Sequence, residues 1–153
     1  CLCPEYTLLS AIFRHMRLLP DEVVLLDTPA GMEHFGRAVA DGFTCGVVVA
    51  DPSYNALSVA KESSKLAEQL GIREVILAVN RVGNQTDAEK LREKTGGFPG
   101  FSRLIFLPFD SGVVSEEPVV ISHLAGGSTF IRSVRTLAAM ITSGVQFGPQ
   151  NFE

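Results

Sequence analysis

Asp27-Thr28-Pro29-Ala30-Gly31 follows an apolar run at residues 23–26 and carries the sharpest chemistry in the chain. A carboxylate ending a buried strand can hold magnesium directly or through water, because hard cations prefer oxygen ligands. Gly31 has no Cβ, so its backbone can approach a terminal phosphate closely and donate its N–H. Other apolar runs lead into Asp51, into Asn80 and, past Pro108-Phe109, into Asp110. The Asn80 amide sets a donor beside an acceptor, which matches the edge of adenine. Taken singly, Asp51 and Asp110 fit turns or helix caps, and Asn80-Arg81 fits the start of a loop with a solvated arginine. Taken together, a polar residue after every buried strand marks a ligand site along the carboxyl edge of a parallel sheet.

Cys1 and Cys3 stand one residue apart. Two such thiolates fill half of a tetrahedral site for a soft or borderline metal, and a symmetric dimer would supply four. The other reading is a pair of ordinary thiols at a terminus. Cys45, opening a strand, reads as a small buried hydrophobe. His15, His34 and His123 are far apart in sequence and show no metal-ligand spacing. They read as structural or solvated.

These residues need a scaffold, and the hydrophobic pattern supplies one. Helices are predicted over residues 4–19, 33–40, 53–70, 86–95 and 129–143. The 53–70 helix starts at Ser53 and ends at Gly71, with Leu57, Ala60, Ala67 and Leu70 facing inward. The 86–95 helix opens on the capping-box sequence Thr86-Asp87-Ala88-Glu89 and closes at Gly96-Gly97. Short continuous apolar runs at 23–26, 46–50, 75–79 and 104–107 read as strands buried on both faces. Alternation of this kind predicts one α/β domain over residues 1–153, a doubly wound and mostly parallel sheet with right-handed crossovers.

The bulk numbers agree. The chain has 153 residues, 46% hydrophobic and 20% charged, with a net charge of −4. An acidic balance gives no electrostatic reason to bind nucleic acid or anionic membrane. No apolar run approaches the roughly 20 residues needed to span a bilayer. The chain opens on Cys1-Leu2-Cys3-Pro4, already inside a motif and without a basic n-region, as an excised piece would. Three cysteines with two nearly adjacent make no disulfide framework, so cytoplasm is the expected location.

The order of a Cys-x-Cys helix, a strand, Asp27-Thr28-Pro29-Ala30-Gly31 and then Met32-Glu33-His34-Phe35-Gly36-Arg37 resembles the CooC-type ATPases. These are maturation factors of carbon monoxide dehydrogenase within the MinD/ParA group of deviant Walker P-loop ATPases. Val79-Asn80-Arg81 and Pro108-Phe109-Asp110 look like that group's base-binding segments. The resemblance covers essentially the whole chain and only the C-terminal half of such a protein. It implies a P-loop NTPase-like fold, ATP or ADP with magnesium, a homodimer, and nickel insertion into a client such as carbon monoxide dehydrogenase. Asp27 would be the magnesium-side aspartate of the catalytic switch and Gly31 the residue near the γ-phosphate. Asn80, with Arg81, Pro108, Phe109 and Asp110, would hold the base. Cys1 and Cys3 would hold nickel or zinc between subunits.

The family's Gly-rich phosphate loop, with its signature lysines and magnesium-binding threonine, has no counterpart in these residues. Without that cradle of N–H groups, tight nucleotide binding and ATP hydrolysis by this chain alone are not expected. The absent half should carry the first strand of the sheet, leaving an apolar strand edge exposed. Two other readings stay open: a partition or positioning ATPase with incidental thiols, and a catalytically inactive half-domain that docks on a partner.

Overall fold

The computed structural model describes residues 8, 11–13, 15–19, 22–28, 43–116 and 126–143. The core is a parallel sheet of three strands in sequence order: β1 (Cys45–Ala50), β2 (Glu74–Val82) and β3 (Arg103–Pro108). Helix α1 (Tyr54–Gln69) crosses from β1 to β2, and α2 (Gln85–Lys94) crosses from β2 to β3. A short α3 (Ser111–Ser115) follows β3, and α4 (Thr129–Ser143) comes last. The α/β class and parallel order expected from the alternation are both present.

Burial divides the sheet into two apolar faces. Alternate residues of β2 point to opposite sides of a strand. Leu77 and Val79 pack with Leu57, Ala60, Ala88 and Phe98 under α1 and α2. Ile76 and Ala78 pack with Ile105 and Leu107 under Phe130, Val134, Leu137 and Ile141 of α4. Helices therefore cover both faces, as a doubly wound sheet requires.

The ends of α1 follow from its sequence. Ser53 Oγ accepts the Ala56 N–H at 3.2 Å. At the other end Gly71, at φ 85°, donates to the Glu68 carbonyl at 2.9 Å while Ile72 donates to Ala67 at 3.0 Å. This paired closure satisfies carbonyls that the last helical turn leaves open.

Two expectations are corrected. Helix α2 does not open on Thr86-Asp87-Ala88-Glu89: Asn84 is its N-cap, accepting the Asp87 N–H at 3.0 Å, so the helix starts at Gln85. The run at 23–26 forms no strand: Val23 and Leu25 are exposed and have no ladder partner among the described residues. Apolar content alone does not make a strand; pairing on its edges does. Of the helix expected over 4–19, the described residues 8, 11–13 and 15 are helical, with Leu8 and Ile12 exposed, whereas residues 16–19 are not helical. The helix expected over 33–40 lies outside the described residues.

Candidate functional site

All three described strands run parallel, so their carboxyl ends share one edge of the sheet. That edge carries the expected polar residues in two neighbourhoods.

The first neighbourhood is a cleft of about 720 Å³ beside β1. It is lined by Leu26, Asp27 and Thr28, by Val47 to Asp51, and by α1 residues that include Ala56, Val59 and Ser63. Asp27 and Asp51 are thus brought onto one cleft, both exposed. Two carboxylates in one opening supply the oxygen donors that magnesium takes.

The second neighbourhood lies where β2 meets β3, and it depends on a bulge. Val79 pairs with Phe106, but Val82 pairs with Pro108. Asn80 and Arg81 therefore stand opposite Leu107 alone, one residue too many for a regular ladder. Arg81 absorbs the misfit with φ 56°, left-handed for a residue with a Cβ. Asn80-Arg81 is thus not the start of a loop, since β2 continues to Val82. No period-two reading could find the bulge, because Arg81 carries no glycine signal.

Arg81 faces a cleft of about 370 Å³ with Pro52, Asp87, Lys90 and Lys94. Pro108, Phe109 and Asp110 line a separate one of about 560 Å³ with Asn84, Thr129 and Phe130. The two clefts share Val82 and Gly83. Phe109 is 56% exposed, an aromatic face open to solvent beside the strand end. Asp110 caps α3, its Oδ1 accepting Gly112 N–H at 2.9 Å and Val113 N–H at 3.4 Å. The capping role is therefore present at Asp110. Asn84 and Thr129 belong to the lining and were not among the expected site residues; Asn84 was hidden by its work as a cap.

Gly31, Cys1 and Cys3 lie outside the described residues. Among the described residues, no group of three or more His, Cys, Asp or Glu side chains could hold a metal ion. Cys45 is half-buried in β1, and burial, reinforced by the Glu74 carboxylate and opposed by Arg103, pushes its thiol above the ordinary 9.0. It packs, partly buried, against the cluster under α4. His15 lies in the N-terminal helical segment, its Nδ1 2.8 Å from the Ala11 carbonyl. No described helix is long and apolar enough to cross a membrane.

Sequence comparison finds relatives among ATP-binding proteins. The chain is 40% identical over 117 residues to an uncharacterized ATP-binding protein of Methanocaldococcus jannaschii, matching 76% of this chain and 45% of that protein. It is 30% identical over 122 residues to the carbon monoxide dehydrogenase accessory protein CooC of Rhodospirillum rubrum, covering 80% of this chain and 45% of that protein. A second uncharacterized ATP-binding protein of M. jannaschii is 37% identical over 86 residues, 56% of this chain and 34% of that protein. The chain thus spans about half the length of the first two relatives. No family model matches it.

Proposed function

We propose that this chain, CooC-like in sequence, is the part of an ATP-driven metallochaperone that carries the switch aspartate, the base pocket and the metal-capturing thiols. The carrying observation is the edge itself: Asp27 and Asp51 share one cleft, and Val82, just past the Asn80-Arg81 bulge, is bonded to the Pro108–Asp110 corner. Magnesium, when bound, would neutralise charge on the nucleotide's phosphates; Asp27 would hold it, with Asp51 near. Asn80 would present its amide to the adenine edge, and Phe109 would offer a stacking face. Arg81 stands beside Asn80 on the bulge, while Asp110 caps α3 after the corner. Gly31 would donate its N–H toward the terminal phosphate. The backbone cradle for the remaining phosphates is not among these residues, so the full ATPase needs chain beyond them.

Nickel is the cargo in this reading, with zinc the competing ion. Cys1 and Cys3 from each of two subunits would hold one ion on the two-fold axis of a homodimer, for delivery to a client such as carbon monoxide dehydrogenase. Similarity to a CooC accessory protein supports that client class.

The test is a titration of the reduced chain with nickel and with zinc, followed by analytical ultracentrifugation, beside a Cys1→Ser/Cys3→Ser variant. One ion per two chains, with dimerisation lost in the variant, is the expected result. Binding that the variant leaves unchanged, or no binding, removes the metallochaperone assignment and leaves an ATP-binding relative of another role.

A further inference from the structure

We infer that the groove between α1 and α2 docks an acidic segment of a partner protein, seating one aromatic or aliphatic side chain in a lining that includes Lys61 and Lys94. The groove shares no lining residue with the cleft that holds Asp27 and Asp51, and neither nucleotide nor metal enters it.

The groove has a volume of about 340 Å³. Pro52, Tyr54 and Leu57 line it from the entry and first turn of α1, and Phe98, Pro99 and Phe101 from the loop after α2. Phe98 is 6% exposed and left-handed at φ 60°, which a residue with a Cβ keeps only where its surroundings hold it. Here they do: Phe98 packs with Leu57 and Leu77 in the core, and its ring meets Phe106 edge-on at 6.5 Å. Tyr54, by contrast, is 85% exposed and offers an aromatic face that a seated partner would cover. A preformed apolar recess beside an exposed aromatic suits a single buried anchor side chain.

The polar part of the lining selects what sits beside that anchor. Ser58 Oγ donates to the Tyr54 carbonyl at 2.9 Å and Thr95 Oγ1 to the Leu91 carbonyl at 2.7 Å, so both hydroxyls donate into their own helices. No acidic residue lines the groove. Lys61 and Lys94 are exposed and make no ion pair among the described residues, whereas Lys65 meets Glu62 at 2.7 Å. A helix C-terminus attracts cations, which accounts for Lys94 at the end of α2 but not for Lys61 in the middle of α1. Through Pro52, Leu91 and Lys94 the groove adjoins the cleft of about 370 Å³, where Lys90 stands one turn before Lys94. Lys61, Lys94, Lys90 and Arg81 thus face Asp87 alone across the two, on a chain of net charge −4. An apolar recess with unpaired ammonium donors fits an apolar group flanked by carboxylates. Two adjoining clefts suit an extended peptide better than a small molecule.

The test selects peptides for this chain from a random library displayed on phage. Enriched sequences should carry an aromatic or aliphatic residue flanked by Asp or Glu. A labelled synthetic peptide of the enriched sequence, followed by fluorescence anisotropy, should bind a Lys61→Glu/Lys94→Glu variant about tenfold or more weakly. A Lys61→Gln/Lys94→Gln variant should weaken binding in the same direction and less, and gives the reading if the glutamate pair disturbs the circular dichroism spectrum. Lys65→Glu should bind as the parent does, because Lys65 lies outside the groove. Added salt should weaken the parent complex. No enrichment, enrichment of basic or uncharged sequences, or binding that either lysine pair leaves unchanged would overturn the site. So would an equal loss in Lys65→Glu. Phenylpropionate competing as well as the peptide would replace the partner segment with a small carboxylate, and self-association lost in the variants would replace it with a second copy of this chain.

Discussion

The Phe109 amide donates to the Val82 carbonyl at 3.0 Å, tying the corner after β3 to the end of the bulged strand. That bond couples two segments that are far apart in sequence and that line two adjoining clefts, Arg81 in one and Pro108 to Asp110 in the other. Val82 is 3% exposed, so the corner is anchored on a buried residue while Phe109 remains open. The corner between the two clefts is thus held by backbone pairing, with the Phe109 side chain left exposed.

Asp110 finishes the same corner through the α3 cap. Replacing it with alanine removes an acceptor from two N–H groups and should destabilise the chain by about 0.5–2 kcal/mol. Asp110→Ser should keep most of that stability. Urea denaturation read by circular dichroism checks both, and equal losses in the two variants would show that capping is not the main role.

Arg81 offers a test of the bulge. A left-handed residue with a Cβ loses about 1–2 kcal/mol relative to the usual region, and glycine does not. Arg81→Gly should raise the melting temperature by about 2–4 °C for each kcal/mol recovered. Arg81→Val should lower it, because a β-branched side chain fits that backbone worst. If the Asn80 orientation matters to the base, Arg81→Val should also weaken adenine-nucleotide binding in the full-length protein.

Much of this arrangement was legible from residue pattern. The Gly46–Ala50, Val75–Val79 and Leu104–Leu107 runs become β1, β2 and β3 because each is laddered on at least one side, though only β2 is buried along most of its length and Val49 of β1 is exposed. Ser53 and Gly71 mark the ends of α1 for reasons internal to the helix. Val23 to Leu26 reads the same way and fails, because strand formation needs a neighbour and pattern says nothing about who supplies it. Asn84 caps the helix two residues before the expected start, its side chain accepting the Asp87 N–H. The bulge at Arg81 depends on the register of β2 against β3, a long-range property with no local signature.

The contrast between Leu77 and Leu25 turns that lesson into numbers. Leu77 is 0% exposed at the centre of β2 and Leu25 is 78% exposed. Leu77→Ala should cost about 2–5 kcal/mol through lost transfer energy and a cavity. Leu25→Ala should change stability by less than about 0.5 kcal/mol. Chemical denaturation of both variants checks this. A large loss at Leu25 would mean that residues 23–26 are packed in solution after all.

Cys45 provides a pH signature. Burial first, and then the neighbouring Glu74 carboxylate, hold its thiol protonated above the ordinary 9.0, against the opposing Arg103. Glu74 is fixed there by an ion pair with Arg103 at 2.6 Å across β2 and β3. An acid whose folded pKa is raised binds its proton more tightly in the folded state, so its contribution is complete below the unfolded value and lost as pH climbs through the folded one. The unfolding free energy of the parent minus that of Cys45→Ala should therefore be flat below about pH 8 and shrink above about pH 9. In a Cys1→Ser/Cys3→Ser background, alkylation of Cys45 by iodoacetamide should reach half its limiting rate at a pH above that of a model thiol. A midpoint at or below that of a model thiol would contradict the partial burial of Cys45 against the α4-side cluster. Glu74→Gln should move the midpoint down, because it removes the negative charge that raises the thiol and keeps the side chain's shape.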